Sequence, residues 1–391
     1  MNAGPASVTP AELTYLRTPA AIRDRARVMT EHVEAGRSQW FALDSGGLDR
    51  AVEATLEVTR QRFPDPATIP FHARWRHFEA GGRDRWASLL PRLRHLPKDE
   101  IARRQMDLAV VSVLLDAGAG PDWRYREPGT DETYRRSEGL GVASFHMFAS
   151  GLFSRDARTD PLRVDAERLA GLTAMEIATG FQVTADNRMI GLEGRAGLLR
   201  ALGAVPLIRP GGLFDVIVQR NDTVRASAIL AAVLDVLSPI WPAPMGDIWH
   251  HPAAGWVPFH KLSQWLSYSL VEPLQSAGLA VVELDSLTGL PEYRNGGLLI
   301  DTGALRVKDR ALLQTSFAAG DEPIVEWRAL TITLLDRIAE QIRRRLGLNA
   351  EALPLVKILE GGTWFAGRRL ANERRPGAQP PIAVRSDGTV F

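Results

Sequence analysis

Apolar residues recur with the spacing of an α-helix along most of the chain. The first helix is predicted at Thr9-Pro10-Ala11-Glu12, where a hydroxyl cap precedes proline at the first helical position and glutamate at the third. Thr18-Pro19 indicates a second helix start, and Gly36 indicates its end. Further segments carry apolar residues at helical intervals; they are residues 48–63, 101–115, 165–177, 226–237, 262–274 and 324–346.

Strand patterns are few. Runs of β-branched and other apolar residues at 214–218 and 279–282 predict short strands, but strands and helices do not alternate through the chain. The pattern therefore predicts a mainly α fold, a compact multi-helical body with at most a small β element.

No long linker interrupts this pattern, so we expect residues 1–391 to form a single multi-helical unit. Within it the pattern allows an N-terminal helical lobe over residues 1–125 and a body with the candidate chemistry over residues 126–373. Residues 374–391 are rich in proline and glycine and are expected to lie over the surface as a tail.

The composition narrows the class of protein. Of the 391 residues, 45% are hydrophobic and 24% are charged, and the formal net charge is +1. These values are typical of a globular protein and disfavour nucleic acid as a partner, because nucleic-acid-binding domains usually present a basic face. The absence of cysteine excludes disulfides and cysteine nucleophiles. We find no membrane-length apolar segment and no signal peptide, so we expect a cytoplasmic protein without a membrane partner.

Common nucleotide-binding and zinc motifs are missing, so no cofactor is predicted. Polar and aromatic residues instead form short clusters. The segment 71–86 contains Arg74 and Arg76, which fit either an anion site or a surface helix whose arginines pair with acids. Ser137 is predicted to cap a helix that runs on to residue 153. Glu360 and the two glycines after it fit either a pocket lining or a helix end.

Three histidines and a carboxylate lie close together in the second half of the chain. Imidazole and carboxylate groups suit zinc or iron, so Asp247, His250 and His251 define an alternative hypothesis, a metal-dependent amidohydrolase acting on a ureido group. Neighbouring histidines point in different directions on any regular element. The preferred interpretation is therefore a polar pocket lining without a metal, to which Trp249 and His260 contribute.

The densest cluster joins two segments. Lys261 and Gln264 lie at the start of the helix predicted over residues 262–274. Residues 283–298 contain three carboxylates, a tyrosine, an arginine and an asparagine, while their glycines and proline argue against a regular helix. Loops on a rigid scaffold often carry function, so this segment is predicted to be a functional loop, with a purely structural, salt-bridged turn as the alternative.

These clusters resemble those of the uracil catabolism protein 4 family. The matching segments extend from about residue 71 to residue 368; they are FHARWRHFEAGGRDRW, RSEGLGVASFHMF, GLEGRAGLLRALG, LPEYRNGGLLIDTGAL and LEGGTWFAGR. The resemblance implies a role in degrading uracil through ribosylated intermediates, in which the ring is opened and urea is finally released.

The densest cluster is also similar to the queuosine-5′-phosphate N-glycosylases, a helical family distantly reminiscent of DNA glycosylases. The matching positions are Phe259, Lys261, Gln264, Leu287, Thr288, Tyr293 and Arg294. Glu292 stands where that family has aspartate, and the longer carboxylate leaves open which acid reacts. This similarity implies a DNA-glycosylase-like fold and cleavage of an N-glycosidic bond.

Cleavage of a ribosyl C–N bond develops positive charge on the sugar, which a nearby carboxylate stabilises. We expect Glu292 or Asp285 to supply that carboxylate and to activate water. The substrate is a small molecule, ribosylurea or its 5′-phosphate, with Lys261 and Tyr293 orienting it or stabilising the leaving group. The other substrate-binding candidates are arginines for phosphate, tryptophans that exclude water and further polar groups; they are Arg294, Arg74, Arg76, Trp265, Trp249, Asn295, Gln264 and His260. A non-catalytic nucleotide-binding protein of the same pathway is a further hypothesis.

Overall fold

The computed structural model describes residues 8–219, 222–241 and 245–385. Helices dominate this part of the chain, and each of its sheets is a short pair of strands. The prediction of a mainly α fold with small β elements is therefore confirmed. None of the described helices combines the length and the apolar character needed to cross a membrane.

The helices vary from one turn to the 25 residues of the longest. In chain order they are α1 (Pro10–Leu16), α2 (Pro19–Glu34), α3 (Ser45–Arg62), α4 (Trp75–Phe78), α5 (Arg85–Leu93), α6 (Lys98–Leu114), α7 (Arg136–Ala149), α8 (Ala166–Ala170), α9 (Ala174–Gly180), α10 (Leu192–Leu202), α11 (Leu213–Val218), α12 (Ala226–Leu237), α13 (Lys261–Ser276), α14 (Tyr293–Asp301), α15 (Glu322–Leu346), α16 (Leu355–Ile358) and α17 (Trp364–Arg374). A π-helical turn, Leu359–Thr363, joins α16 to α17.

The strands are short and pair two by two. In chain order they are β1 (Phe41–Leu43), β2 (Tyr125–Arg126), β3 (Thr133–Tyr134), β4 (Thr223–Arg225), β5 (Ile248–His251), β6 (Gly255–Pro258), β7 (Ala280–Val282), β8 (Leu305–Val307), β9 (Ser316–Phe317) and β10 (Ala383–Val384). The antiparallel pairs are β1–β8, β2–β3 and β5–β6. The parallel pairs are β4–β7 and β9–β10.

Contacts between Cα atoms divide the chain into two units. The first contains the described residues up to His72 together with Asp247–Gln264 and Glu283–Arg385. The second contains Ala73–Gly246 and Trp265–Val282. Both units are therefore assembled from segments that are distant in the sequence.

The predicted lobe over residues 1–125 and body over residues 126–373 stay predictions. The tail predicted over residues 374–391 is described as far as residue 385, and its last six residues, 386–391, lie outside the described part. At its start, Arg375 donates hydrogen bonds to both carboxylate oxygens of Asp301, at 2.7 and 2.5 Å. This ion pair attaches the described part of the tail to the end of α14.

The core of the first unit is built from α2, α15 and the β5–β6 hairpin. Helix α2 begins as its sequence predicts, because the Thr18 hydroxyl accepts the N–H of Ala21 at 3.1 Å. The apolar faces of these elements meet in a fully buried cluster; its members include Ile22, Ala26, Met29, Val257, Phe259, Val325, Ala329 and Ile332. Because Phe259 belongs to this cluster, the chain is fixed immediately before α13 begins.

Helices α6 and α7 pack together in the second unit. Every residue of α6 from Gln105 to Leu114 is buried, which explains why its apolar pattern was so clear. The strand predicted at residues 279–282 is confirmed as β7, which pairs in parallel with β4.

The strand predicted at residues 214–218 is wrong, because these residues form α11. A 3₁₀ turn, Pro210–Gly212, precedes the helix, and Gln219 ends it in the left-handed conformation with φ of 41°. Phe214 and Ile217 are buried three residues apart. Helical burial therefore overrides the β-branched composition of this segment.

Two helix predictions are wrong in detail. The helix predicted over residues 165–177 is broken into α8 and α9, because Thr173 and Glu176 form a capping box that starts a new helix. Ser137 does not cap α7, since it lies inside the first turn after the N-cap Arg135. Its hydroxyl donates instead to the Asp116 carboxylate at 3.1 Å.

The functional loop predicted over residues 283–298 is wrong in its second half, which begins α14. Glycine is tolerated there because it permits close packing: a Cβ on Gly296 would lie 2.7 Å from the indole of Trp327. Glu292 occupies the N-cap position of this helix. The carboxylate that the sequence singles out therefore has a structural position as well as a candidate chemical role.

Candidate active site

Glu292 holds the start of α14 with both oxygens of its side chain. Oε2 accepts the backbone N–H of Arg294 at 2.7 Å, and Oε1 accepts that of Asn295 at 2.6 Å. These two bonds satisfy orphan donors at the positive end of the helix. They also fix the direction of the carboxylate, so that it cannot rotate freely.

Glu292 as a whole residue is only partly buried. Burial raises the pKa of Glu292 above its ordinary value. The N–H groups of Arg294 and Asn295, together with the positive charges of Lys261 and Arg294, oppose this rise. The net effect is that the pKa of Glu292 lies above that of an exposed glutamate.

Asp247 is a second carboxylate in the first unit, and it is fully engaged. Arg328 donates to Oδ1 and Oδ2 at 2.7 Å each. Trp249 adds its indole N–H at 2.8 Å, and the backbone N–H of Lys261 adds a bond at 3.0 Å. Burial raises the pKa of Asp247, but Arg328 and these hydrogen bonds together hold it below its ordinary value. Asp247 is thus a permanently charged anchor for the start of α13.

Arg328 connects the two carboxylate regions. Besides binding Asp247, its Nε donates to the carbonyl oxygen of Pro291 at 3.4 Å, next to Glu292. Its guanidinium carbon lies 4.0 Å from the ring centroid of Phe259. Arg328 was not among the residues predicted from the sequence. The sequence feature that could have identified it is an arginine at a position of α15 that is otherwise apolar, next to Val325 and Ala329.

Gln264 brings together the two segments that the glycosylase resemblance matched. Its Oε1 accepts the backbone N–H of Thr288 at 2.9 Å, and its Nε2 donates to the Thr288 hydroxyl. Both side chains are fully buried. This pairing attaches the loop before α14 to α13. Gln264 therefore has a structural role in positioning that loop.

Asp285 has a different environment from Glu292. Its Oδ2 accepts a hydrogen bond from Arg343 at 2.5 Å, and its Oδ1 accepts the backbone N–H of Leu355 at 2.7 Å. The carboxylate therefore ties α15 to the start of α16. Both of its oxygens are committed to structural contacts.

The first residues of α14 carry further polar groups. The guanidinium carbon of Arg294 lies 4.9 Å from the Tyr293 ring centroid, and its Nη1 donates to the Ala378 carbonyl at 3.2 Å. Asn295 donates from Nδ2 to the Leu290 carbonyl at 3.1 Å. Arg294 Nε and Asn295 Oδ1 are buried without a hydrogen-bond partner among the described residues. These atoms are available to a ligand or to water.

His260 and Trp249 support the site from the side of α13. The His260 ring is buried and Nε2 lies 2.9 Å from the Leu16 carbonyl oxygen. Burial lowers the pKa of His260, so the ring is neutral and donates from Nε2. Trp249 is half-buried, and its ring packs so closely on Gly320 that a Cβ there would lie 2.2 Å away.

Arg74, Arg76 and Trp265 belong to the second unit. Arg74 is fully buried and donates to Asp116 at 2.8 Å and to Ser112 at 2.6 Å. Arg76 donates to both oxygens of Glu272, at 3.1 and 2.8 Å. Both arginines therefore have carboxylate partners within their own unit. Trp265 is buried with its ring centroid 5.4 Å from the Arg74 guanidinium carbon.

The side chains of the metal hypothesis are engaged elsewhere. His250 packs edge-on against Trp256 with ring centroids 5.3 Å apart, whereas the His251 Nδ1 accepts the N–H of Ala253 at 3.1 Å. Asp247 is occupied by Arg328. In residues 8–219, 222–241 and 245–385, no three histidine, aspartate or glutamate side chains are grouped closely enough to hold a metal ion.

The fold and the site together define a mainly α protein with a carboxylate held at a helix start beside a buried arginine–aspartate pair. The chain belongs to the family described as "Protein of unknown function (DUF1688)", which it matches over residues 15–391. It is 39% identical over 388 residues to "Protein urg3" of Schizosaccharomyces pombe, covering 95% of this chain and 96% of that protein.

A second relative is "Uracil catabolism protein 4" of Lachancea kluyveri. The two proteins are 35% identical over 438 residues, which covers 97% of this chain and 99% of that protein. The resemblance to this family that the sequence motifs indicate is therefore confirmed. The more distant similarity to the queuosine-5′-phosphate N-glycosylases stays a prediction.

Proposed function

We propose that this protein takes part in uracil catabolism and hydrolyses the N-glycosidic bond of ribosylurea or its 5′-phosphate, releasing urea and the sugar. The pathway is supported by the name of the Lachancea kluyveri relative, which aligns with nearly the whole chain. The reaction is supported above all by one observation: Glu292 is a half-buried residue whose two carboxylate oxygens are oriented by backbone N–H groups.

An oriented carboxylate suits this reaction because positive charge develops on the ribose as the C–N bond lengthens. A group already pointing in a fixed direction stabilises that charge with little reorganisation. The raised pKa of Glu292 also makes it a better base than an ordinary glutamate. Glu292 can therefore accept a proton from the attacking water.

Between the two carboxylates that the sequence offers, the contacts favour Glu292. Asp285 is bound by Arg343 and by the N–H of Leu355, and these partners belong to the scaffold. Protonation of Asp285 would weaken its ion pair with Arg343, which joins two parts of the scaffold. Glu292 is instead held by two backbone N–H groups, and each of its oxygens keeps a lone pair for a reacting water.

Groups next to Glu292 provide substrate contacts. Lys261 and Tyr293 orient the substrate or stabilise the leaving group, and the buried Asn295 Oδ1 can accept an N–H of urea. Arg294 is the preferred phosphate ligand, since Arg74 and Arg76 already bind carboxylates.

The first experiment offers ribosylurea and its 5′-phosphate separately to the purified protein and follows urea and sugar by mass spectrometry. We expect urea to be released from one of the two compounds and not from the other. This result shows whether the substrate must carry the 5′-phosphate. E292Q should lower turnover by about 10²–10⁴-fold, because the amide cannot act as a base. Circular dichroism should show a folded variant, since glutamine can still accept an N–H at the cap.

D285N is the matched control, because it also converts a carboxylate of the same segment to an amide. It should lose stability through the weakened Arg343 contact and keep most of its turnover. Near-full activity in both variants would refute the mechanism. Binding of either compound by the wild-type protein, detected by calorimetry without release of urea, would favour a non-catalytic binding protein.

A further inference from the structure

His72 and Glu360 form a buried pair in the first unit that the proposed mechanism has not used. The His72 Nδ1 lies 2.8 Å from the Glu360 Oε2. The two residues are only 7% and 4% exposed. In a neutral imidazole bound in this way the proton resides on Nδ1, and the carboxylate fixes the ring orientation.

The His72 Nε2, on the opposite edge of the ring, makes no hydrogen bond within the part of the chain that the structure describes. The Trp364 indole lies on one side, tilted, with ring centroids 6.1 Å apart. The Thr363 hydroxyl, in the π-helical turn that contains Glu360, is buried and has no partner among the described residues. A buried polar atom without a partner indicates a ligand or water site.

Charge balance alone does not explain the pair. Arg62 already lies 3.6 Å from the Glu360 Oε1 and donates to the Glu360 carbonyl oxygen at 2.8 Å. Glu360 thus has a permanent cation beside it, and His72 is not needed to neutralise its charge. An imidazole held by a carboxylate and open at Nε2 is the usual arrangement of a proton-transferring histidine.

The backbone that carries Glu360 is unusual. The residues Leu359–Thr363 form a π-helical turn, a local geometry often found at functional sites. A Cβ on Gly362 would lie 2.4 Å from Thr55, so the turn rests directly on α3. This close packing holds the widened turn in place and with it the Glu360 side chain.

The pair lies near the start of α14. A Cβ on Gly367 of α17 would lie 2.2 Å from the Arg294 carbonyl oxygen, two residues after Glu292. The step from Glu360 to Gly367 corresponds to roughly 10 Å along a helix axis. The π-helical turn itself also packs against α14. The π-helical turn that carries Glu360 and the start of α14 that carries Glu292 are therefore neighbours within the first unit.

We propose that His72 donates a proton from Nε2 to the leaving nitrogen, and that Glu360 is the positioning residue that holds its ring; this inference rests on the proposed function. The water oxygen forms a bond to the anomeric carbon and gives a proton to Glu292. The C–N bond breaks, and its electron pair takes the proton of protonated His72. Solvent then returns the proton from Glu292 to His72, so the net change is the addition of one water.

The test measures kcat and KM for ribosylurea, or for its phosphate if that is the substrate, in the wild type, H72A and E360Q. H72A should lower kcat by about 10²–10⁴-fold with little change in KM. Added imidazole should restore part of the turnover of H72A, because it fits the vacated space and supplies the same proton. E360Q should lower kcat at unchanged KM, and imidazole should not rescue it.

His146 provides the matched control, because its Nε2 lies 2.9 Å from the Glu127 Oε1 and thus forms another histidine–glutamate pair. H146A should keep its turnover and show no response to imidazole. If H72A is poorly folded by thermal melting, H72Q replaces it, since glutamine can still bind Glu360 but cannot donate as an imidazolium.

Two results would overturn the inference while the proposed function stands. In the first, the wild type releases urea and the H72A or H72Q variant is as active as H146A. In the second, H72A loses activity only through a higher KM, or its lost turnover is not restored by imidazole. A wild type that releases no urea from either compound would instead refute the proposed function and this inference together.

Discussion

Arg328 carries a permanent charge where its side chain is only 2% exposed. Its partner Asp247 is also buried, so each charge depends on the other. Removing one member of such a pair leaves the other uncompensated, which is strongly destabilising. We expect R328M to lower the free energy of unfolding by about 3–5 kcal/mol, measured by urea denaturation.

Arg337 is the control for this prediction, because it lies on the same helix and pairs with Glu34 at 2.8 Å in an exposed position. R337M should cost at most about 1 kcal/mol, since exposed ion pairs contribute little. Similar losses in R328M and R337M would show that burial of the Arg328–Asp247 pair has no special importance.

At the scale of single residues, the sequence identified candidate functional side chains better than it identified which side chains contact each other. Lys261 and Gln264 were found through a motif of closely spaced residues. The pairs Arg328–Asp247 and His72–Glu360 join side chains that are 81 and 288 positions apart. Nothing in a local pattern links positions so distant, because only the fold brings them within hydrogen-bond distance. The sequence pattern therefore placed His72 in the segment 71–86 and singled out Glu360, without indicating that the two side chains touch.

Packing between helices α14 and α17 sets the position of the candidate site. Gly367 lies directly against the Arg294 backbone, with no room for a Cβ. G367A should push α17 away from the start of α14, which carries Glu292. We expect a loss of about 1–3 kcal/mol in the free energy of unfolding, as for other overpacked sites, together with lower turnover.

The matched control is G197A in α10. Gly197 is also within a helix, but the nearest atom to a Cβ there is the Arg200 Nη2 at 4.0 Å. The substitution should stabilise the protein by up to about 1 kcal/mol, because alanine favours helix over glycine. Thermal unfolding of both variants distinguishes packing from helix propensity. A stabilising G367A would contradict the close approach of α17 to α14.

For whole elements, most of the long helices were predictable and several of the short ones were not. Helix α12 agrees with its predicted range, residues 226–237, because its apolar repeats extend over several turns. Helix α11 was mistaken for a strand, since six residues contain too few turns to reveal a period. Helix α14 was mistaken for a loop because its glycines, chosen for packing against Trp327, resemble helix breakers.

For the molecule as a whole, two buried glutamates set opposite limits to the pH range of stability. The hydrogen bonds from Arg85 hold the pKa of Glu127 at about 2, although burial opposes this. Its contribution to stability is present above the ordinary value of 4.5 and is lost as pH falls towards 2. Burial raises the pKa of Glu326 to about 7, so the stability contributed by Glu326 changes with pH in the opposite direction. Its contribution is full below 4.5 and is lost as pH rises through about 7.

The variant E326Q isolates the effect of Glu326 ionisation on stability from that of the other titrating groups. Glutamine stays neutral at every pH, so the variant should keep at pH 8 the stability that the wild type loses on ionising Glu326. The free energy of unfolding of the wild type, relative to E326Q, should fall between pH 5 and pH 8 by at most about 3 kcal/mol. Urea denaturation at a series of pH values provides the measurement.

Glu340 is exposed on the same helix and supplies the control. The difference between wild type and E340Q should not change with pH over this range. The Ser38 hydroxyl donates to the Glu326 carboxylate, so some loss in E326Q at low pH is expected and does not affect the comparison. A pH-independent difference between wild type and E326Q would mean that Glu326 ionises as readily in the folded protein as in the unfolded chain. Its burial would then impose no alkaline limit on stability.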